Sequence, residues 1–148
     1  MKASILSIST VLLSTLFNGG VSAASPDELK ITVETPVECT RKTQAGDFIS
    51  VHYEGKLEDG TVFDSSYKRG NPLPFNLGQG QVIKCWDEGL LDMCIGEVRE
   101  LWCHPNVAYG ERGIGPIPPN SPLIFKAELV DIAGVDVSEE AQPQKDEL

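Results

Sequence analysis

The chain has 148 residues, 41% of them hydrophobic, with 12 Lys and Arg against 22 Asp and Glu and a net charge of −10. That apolar content and length suit one globular domain with a core of its own. The acidic excess argues against nucleic acid or an anionic membrane surface as a partner, because phosphate binding is driven by Lys and Arg.

Taken from the start, Lys2 precedes an apolar, uncharged run from Ile5 to Phe17, closed by the small residues Val21-Ser22-Ala23. Residues 1–23 read as a cleaved secretory signal peptide, too short and too interrupted by serine for a membrane span. No later segment is apolar over a spanning length, so the mature protein is expected to be soluble, without membrane insertion. Residues 24–45 form a lead-in, an N-terminal strand over Leu29–Val33 that alternates as a half-buried strand does, and an irregular edge carrying Pro36 and Cys39.

The main domain is expected over residues 46–134. Ile49, Val51 and Tyr53 take one face of a strand, with Ser50, His52 and Glu54 on the other. Glu58-Asp59-Gly60-Thr61 is a tight hairpin cue, and Val62–Ser66 is the return strand. Tyr67–Pro74 reads as a loop, followed by a brief alternation at Phe75 and Leu77 and the turn Gly78-Gln79-Gly80. Within Gln81–Gly96, Trp86, Leu90 and Met93 stand at i, i+4 and i+7. That spacing predicts a helix of about three turns ended by Gly96, with its tryptophan side packed on a sheet.

Val98–Cys103 is a further strand, stopped by Pro105. The Gly- and Pro-rich run from Val107 to Pro119 cannot be helix or central strand, yet it holds Tyr109, Ile114 and Ile117, as loops that cover something do. Leu123, Phe125, Ala127 and Leu129 alternate in a last strand. Residues 135–148 form an acidic tail without periodicity, expected to be disordered. It ends in Lys145-Asp146-Glu147-Leu148, the retrieval address read by the KDEL receptor. Leader and address together predict residence in the lumen of the endoplasmic reticulum, an oxidising compartment that permits disulfides.

The four cysteines, Cys39, Cys85, Cys94 and Cys103, have no C-x-x-C spacing, and four cysteines allow three connectivities. Cys103-His104 is too isolated for a metal site, so no metal or cofactor is expected. His52 and His104 read as solvent-facing or satisfied structural groups. From the residues alone, Trp86, Phe63 and Phe125 read as core at least as readily as pocket walls.

Four stretches, VHYEGKLEDGTVFDSS (Val51–Ser66), NLGQGQVIKCWDEGLLDM (Asn76–Met93), NVAYGERG (Asn106–Gly113) and PLIFKAELVDI (Pro122–Ile132), resemble the FKBP-type peptidyl-prolyl cis-trans isomerases, in the family's order and spacing. The resemblance implies an α+β fold, an antiparallel curved sheet of about five strands wrapped around one short helix. It also implies an apolar pocket that binds proline-containing nascent chains and macrolides of the FK506 and rapamycin type, in a protein expected to be monomeric. Carried over by motif, the pocket residues are Tyr53, Phe63, Asp64, Leu73, Val82, Ile83, Trp86, Tyr109, Ile117 and Phe125. Trp86 would be the platform under the prolyl ring, and Phe63, Tyr53 and Phe125 the walls. Asp64 and Tyr109 would form the polar rim, and the Ile83 backbone N–H would donate to a substrate carbonyl. Trp86, Phe63, Asp64 and Tyr109 would carry the catalysis.

Three departures stand out against the family's cytosolic form: Leu73 where an aromatic wall residue is frequent, Cys85 where glycine is usual, and a shorter loop over Gly113–Pro119. Resemblance to luminal members implies a Cys39–Cys94 disulfide, which in the chain-entropy model contributes about 3–5 kcal/mol. Cys85 and Cys103 would form a second bridge or remain buried thiols. Two other functions remain on this sequence: a non-catalytic module that holds unfolded or partner chains in the same pocket, and a redox protein using Cys85 and Cys103.

Overall fold

Strand β2 (Phe48–Leu57) is the element against which the sheet assembles. On one side it pairs antiparallel with β6 (Leu123–Ile132), from Ile49 opposite Ile132 to Leu57 opposite Leu123. The other edge of β2 is shared. β3 (Val62–Ser65) pairs with its Glu54–Lys56 end, and β4 (Leu73–Asn76) with its Phe48–Val51 end. Beyond β6 lie β5 (Val98–Cys103) and then β1 (Leu29–Thr35), giving the order β1-β5-β6-β2-β3 with β4 on β2. This computed structural model describes residues 24–136. The leader 1–23 and the retrieval address at 145–148 lie outside the described residues.

All pairings are antiparallel, and the six strands curve around a helix, α2 (Lys84–Gly89). Alternation explains which faces are buried. Ile49, Val51 and Tyr53 of β2, Leu101 and Cys103 of β5, and Leu123, Phe125, Ala127 and Leu129 of β6 all turn toward the helix and are buried. Gly89 permits the close approach: a Cβ there would sit 2.9 Å from Leu101 Cδ1. β1 departs from the half-buried expectation. Among the described residues it is an outer edge strand paired only with β5, and Ile31 and Val33 are 45% and 46% exposed.

The helix is shorter than the i, i+4, i+7 pattern predicts. It spans six residues, and Leu90 is its C-cap rather than an interior position. Leu90 and Met93 are fully buried, as the pattern demands, but only the first belongs to the helix end. The reason is Thr43, whose hydroxyl donates to Leu90 O (2.6 Å) and accepts from Met93 N (2.8 Å). Its backbone also bonds Met93 O and Asp92 N. The carbonyls and amides that would continue the helix are taken by a partner from elsewhere in the chain, so the segment from Leu90 to Gly96 runs as turns.

A second small element, α1 (Ser66–Arg69), occupies the start of the segment expected to be loop. Both bridges are formed: Cys39–Cys94 ties the N-terminal edge to the chain after α2, and Cys85–Cys103 ties the first turn of α2 to β5.

Candidate functional site

The walls of the site come from positions on four strands, and its floor from the helix they enclose. Trp86, in the first turn of α2, meets Tyr53 of β2 edge-on (ring centroids 4.8 Å apart, 78° between planes) and Phe125 of β6 likewise (5.3 Å, 85°). Phe75 of β4 lies tilted against it at 5.8 Å, and Phe63 of β3 stands perpendicular to Phe125 at 5.7 Å. Edge-to-face arrays of this kind are favourable beyond the area they bury, and they fix each ring's orientation. The Trp86 indole N–H is buried with no hydrogen-bond partner among the described residues.

Four of these rings, Tyr53, Phe63, Trp86 and Phe125, bound an open cleft of about 160 Å³. A cavity of about 150 Å³ accepts a benzene-sized guest, so one prolyl ring fits. Tyr53, Phe63, Asp64, Leu73 and Val82 line it, together with Ile83, Trp86, Tyr109 and Phe125. Ile117 is not among these lining residues; it is buried, as Tyr53, Trp86 and Phe125 are, and its backbone N–H and C=O pair with those of Ile114. Gln81, which is not among the pocket residues carried over by motif, lines the cleft as well.

Gly55 on β2 explains how two walls fit together. A Cβ there would lie 2.6 Å from Phe63 Cζ and 2.8 Å from Phe125 Cε1. Gly55→Ala is therefore expected to lower stability by about 1–3 kcal/mol, the usual range for overpacking, as read from the urea midpoint. An unchanged midpoint would show that the two rings reorganise freely.

The polar rim is a three-membered cluster. Tyr53 Oη donates to Asp64 Oδ2, Arg69 Nη1 donates to Asp64 Oδ1 at 2.5 Å, and Arg69 Nη2 donates to Tyr53 Oη at 2.8 Å. Asp64 also accepts from the Ser65 amide at 2.9 Å. Burial alone would raise the Asp64 carboxyl. The bonds from Tyr53 and Arg69, with the guanidinium charge, outweigh burial and hold it below the usual carboxylate range. Asp64 is therefore an anion at neutral pH, with acceptor capacity only. Burial, and then the hydrogen bond to Asp64, push the Tyr53 hydroxyl up. Burial and the Asp64 charge do the same to Tyr109 across the cleft.

Arg69 was invisible as a site residue in the sequence. It looked like a charge in a loop, and one turn of helix, too short to show a period, returns it to Asp64 five residues back.

A curved antiparallel sheet around a short helix, with a ring-lined cleft between them, is the architecture the four motifs implied. The profile of the family described as FKBP-type peptidyl-prolyl cis-trans isomerase matches residues 39–130. The chain belongs to that family and is a peptidyl-prolyl isomerase. Among curated relatives, the FK506-binding protein 2 of Debaryomyces hansenii is 58% identical over 84% of this chain and 95% of its own length. The protein of the same name from Aspergillus oryzae is 53% identical over 94% and 99%. The crystal structure of AtFKBP13 superposes with a TM-score of 0.68 at 41% identity, covering 75% of this chain and 98% of that one.

Proposed function

We propose that this isomerase accelerates proline-limited folding of secretory proteins in the lumen of the endoplasmic reticulum, and that macrolides of the FK506 and rapamycin type occupy the same cleft. The observation that carries the site reading is the ring-lined cleft over Trp86 with an ionised Asp64 at its rim. An X–Pro bond rotates slowly because amide resonance raises a barrier of about 18–20 kcal/mol. The twisted amide has lost that resonance, so its carbonyl carries less charge and needs less hydration than the planar form. A water-poor cleft favours the twisted form, which is differential binding of the transition state, and no acid, base or nucleophile is needed.

In this reading Trp86 seats the prolyl ring, while Phe63, Tyr53 and Phe125 exclude water. The Ile83 N–H and the Tyr109 hydroxyl fix the flanking carbonyls. Asp64, held by Tyr53 and Arg69, organises the rim and transfers no proton. Asp64→Leu is expected to lower turnover about tenfold, ~1.4 kcal/mol of barrier, while rapamycin still binds. Full activity in a prolyl-peptide assay would end that role for Asp64, and total loss of rapamycin binding would make it a structural residue.

The compartment rests on other features. The Ala23 cleavage pattern, the C-terminal Lys145-Asp146-Glu147-Leu148 and the two disulfides support a luminal resident retrieved by the KDEL receptor. The relatives named FK506-binding protein 2 support the macrolide reading. Deleting the last four residues is the direct check, since a luminal resident would then appear in the medium.

A further inference from the structure

The signal-peptide reading puts the new amino terminus at Ala24, and the fold places that same nitrogen in an unusual position. Ala24 N lies 2.6 Å from Glu88 Oε2, although 64 residues separate them in sequence. Ala24 is half-buried against the core. The turn behind it is built to aim it: Glu28 N and Leu29 N donate to Ser25 O, and Ser25 N donates to Glu28 Oε2. Glu88 sits on α2 two residues beyond Trp86, and Lys84 Nζ lies 3.8 Å from its other carboxylate oxygen.

We propose that the amino terminus released at Ala24 is a working part of the domain, an ammonium group bound by Glu88 that fastens the N-terminal segment to the pocket helix. This rests on the cleavage reading. Hydrolysis adds water across the Ala23–Ala24 bond, leaving a carboxylate on Ala23 and an amine on Ala24 that takes up a proton. Before cleavage the nitrogen is a neutral amide with one donor. Afterwards it is a cation with three, so a hydrogen bond from an amide to a carboxylate becomes an ion pair between two full charges. α2 has need of such support, being six residues long with no side-chain N-cap. Removal of the leader thereby completes the bracing of the helix that carries Trp86.

The pH dependence follows from the same pair. An α-amino group ordinarily titrates near 7.7–8.0, and the Glu88 carboxylate raises that value in the folded state. While Glu88 is ionised, the stabilisation is full below about pH 7.7 and is lost as pH climbs through the higher folded value. Lys84 and Glu88 face the nitrogen from α2, and Glu28 lies behind it in the turn, with Lys84 and His104 exerting their charge on Glu28.

The test uses a chain made to begin at Ala24, free or Nα-acetylated, each with Glu88 intact or changed to Gln. At pH 7, acetylation and Glu88→Gln are each expected to lower Tm by about 3 °C, and together by no more than either alone. The acetylated and free chains should converge at pH 10. Additive effects, or acetylation without effect, would overturn the ion pair. Mass spectrometry of the protein recovered from cells tests the cleavage reading separately. A start at Ala24 supports it, and any other start overturns it and removes the clamp from the cell.

Discussion

Replacing Arg99 by Met is expected to destabilise the domain by about 3–5 kcal/mol, the cost of breaking a buried ion pair from one side. Arg99 is only 8% exposed. Its Nη1 donates to Gly89 O (3.0 Å) and Leu91 O (2.7 Å), its Nη2 to Asp92 O (2.9 Å), and its Nε to Glu97 Oε2. The guanidinium thus satisfies carbonyls left unpaired where α2 ends, and it puts a positive charge at the negative end of that helix. Glu97 is 6% exposed and uses its other oxygen on the Cys94 amide. Removing Arg99 strands a buried carboxylate and three carbonyls together. Arg99→Lys is expected to recover little, since one ammonium cannot span those acceptors. Arg99→Met with Glu97→Gln should cost less than Arg99→Met alone. Urea unfolding reads all three, and a loss below about 1 kcal/mol for the single change would mean water replaces the guanidinium. With a total stability of about 5–15 kcal/mol, the expected loss is a large share.

The second large effect is at the cleft floor. Trp86→Ala is expected to cost about 3–5 kcal/mol of stability, because Tyr53, Phe75 and Phe125 all lose a ring contact. Its effect on catalysis is separate. If the prolyl ring buries about 100 Å² against the indole, its loss removes about 2.5 kcal/mol, close to two decades in kcat/KM. Rapamycin affinity should fall with it, and Trp86→Phe should retain part of both. The measurement is a prolyl-peptide assay on protein shown to be folded by circular dichroism. Unchanged efficiency and unchanged macrolide affinity in a folded Trp86→Ala protein would place the work elsewhere.

Both predictions turn on groups that the sequence displays unequally. Trp86 was visible as the large flat side chain at the head of an amphipathic stretch, and the FKBP-type motifs marked it as a platform. Arg99 was not. It sits in a strand pattern where Val98, Glu100 and Trp102 take the outer face, so the charged residue points inward and the tryptophan outward. Nothing in a period of two says which set is buried until the opposite layer is known. Asp64 was legible from its motif, while its anchor Arg69 was not, since a single helical turn has no period to detect. The placing of Ile117 was not legible, because a Gly- and Pro-rich loop has no periodicity to set its direction and the backbone pairing with Ile114 that fixes it is a feature of the fold.

Alternation of side chains over Phe48–Leu57, Val98–Cys103 and Leu123–Ile132 determined the strands that build the sheet, and composition determined the acidic surface. These are local properties, expressed within a few residues of chain. The end of α2, the second bridge between Cys85 and Cys103 and the cluster at Asp64 belonged to the tertiary structure. Each is decided by partners brought together across the fold: Thr43 reaches Leu90 and Met93 over 47 and 50 residues, and the Cys39–Cys94 bond closes 55. A hydrogen bond or disulfide between distant residues leaves no period in either segment, so periodicity cannot reveal it; family resemblance implied the Cys39–Cys94 bond, and the assembled sheet and helix decided the rest.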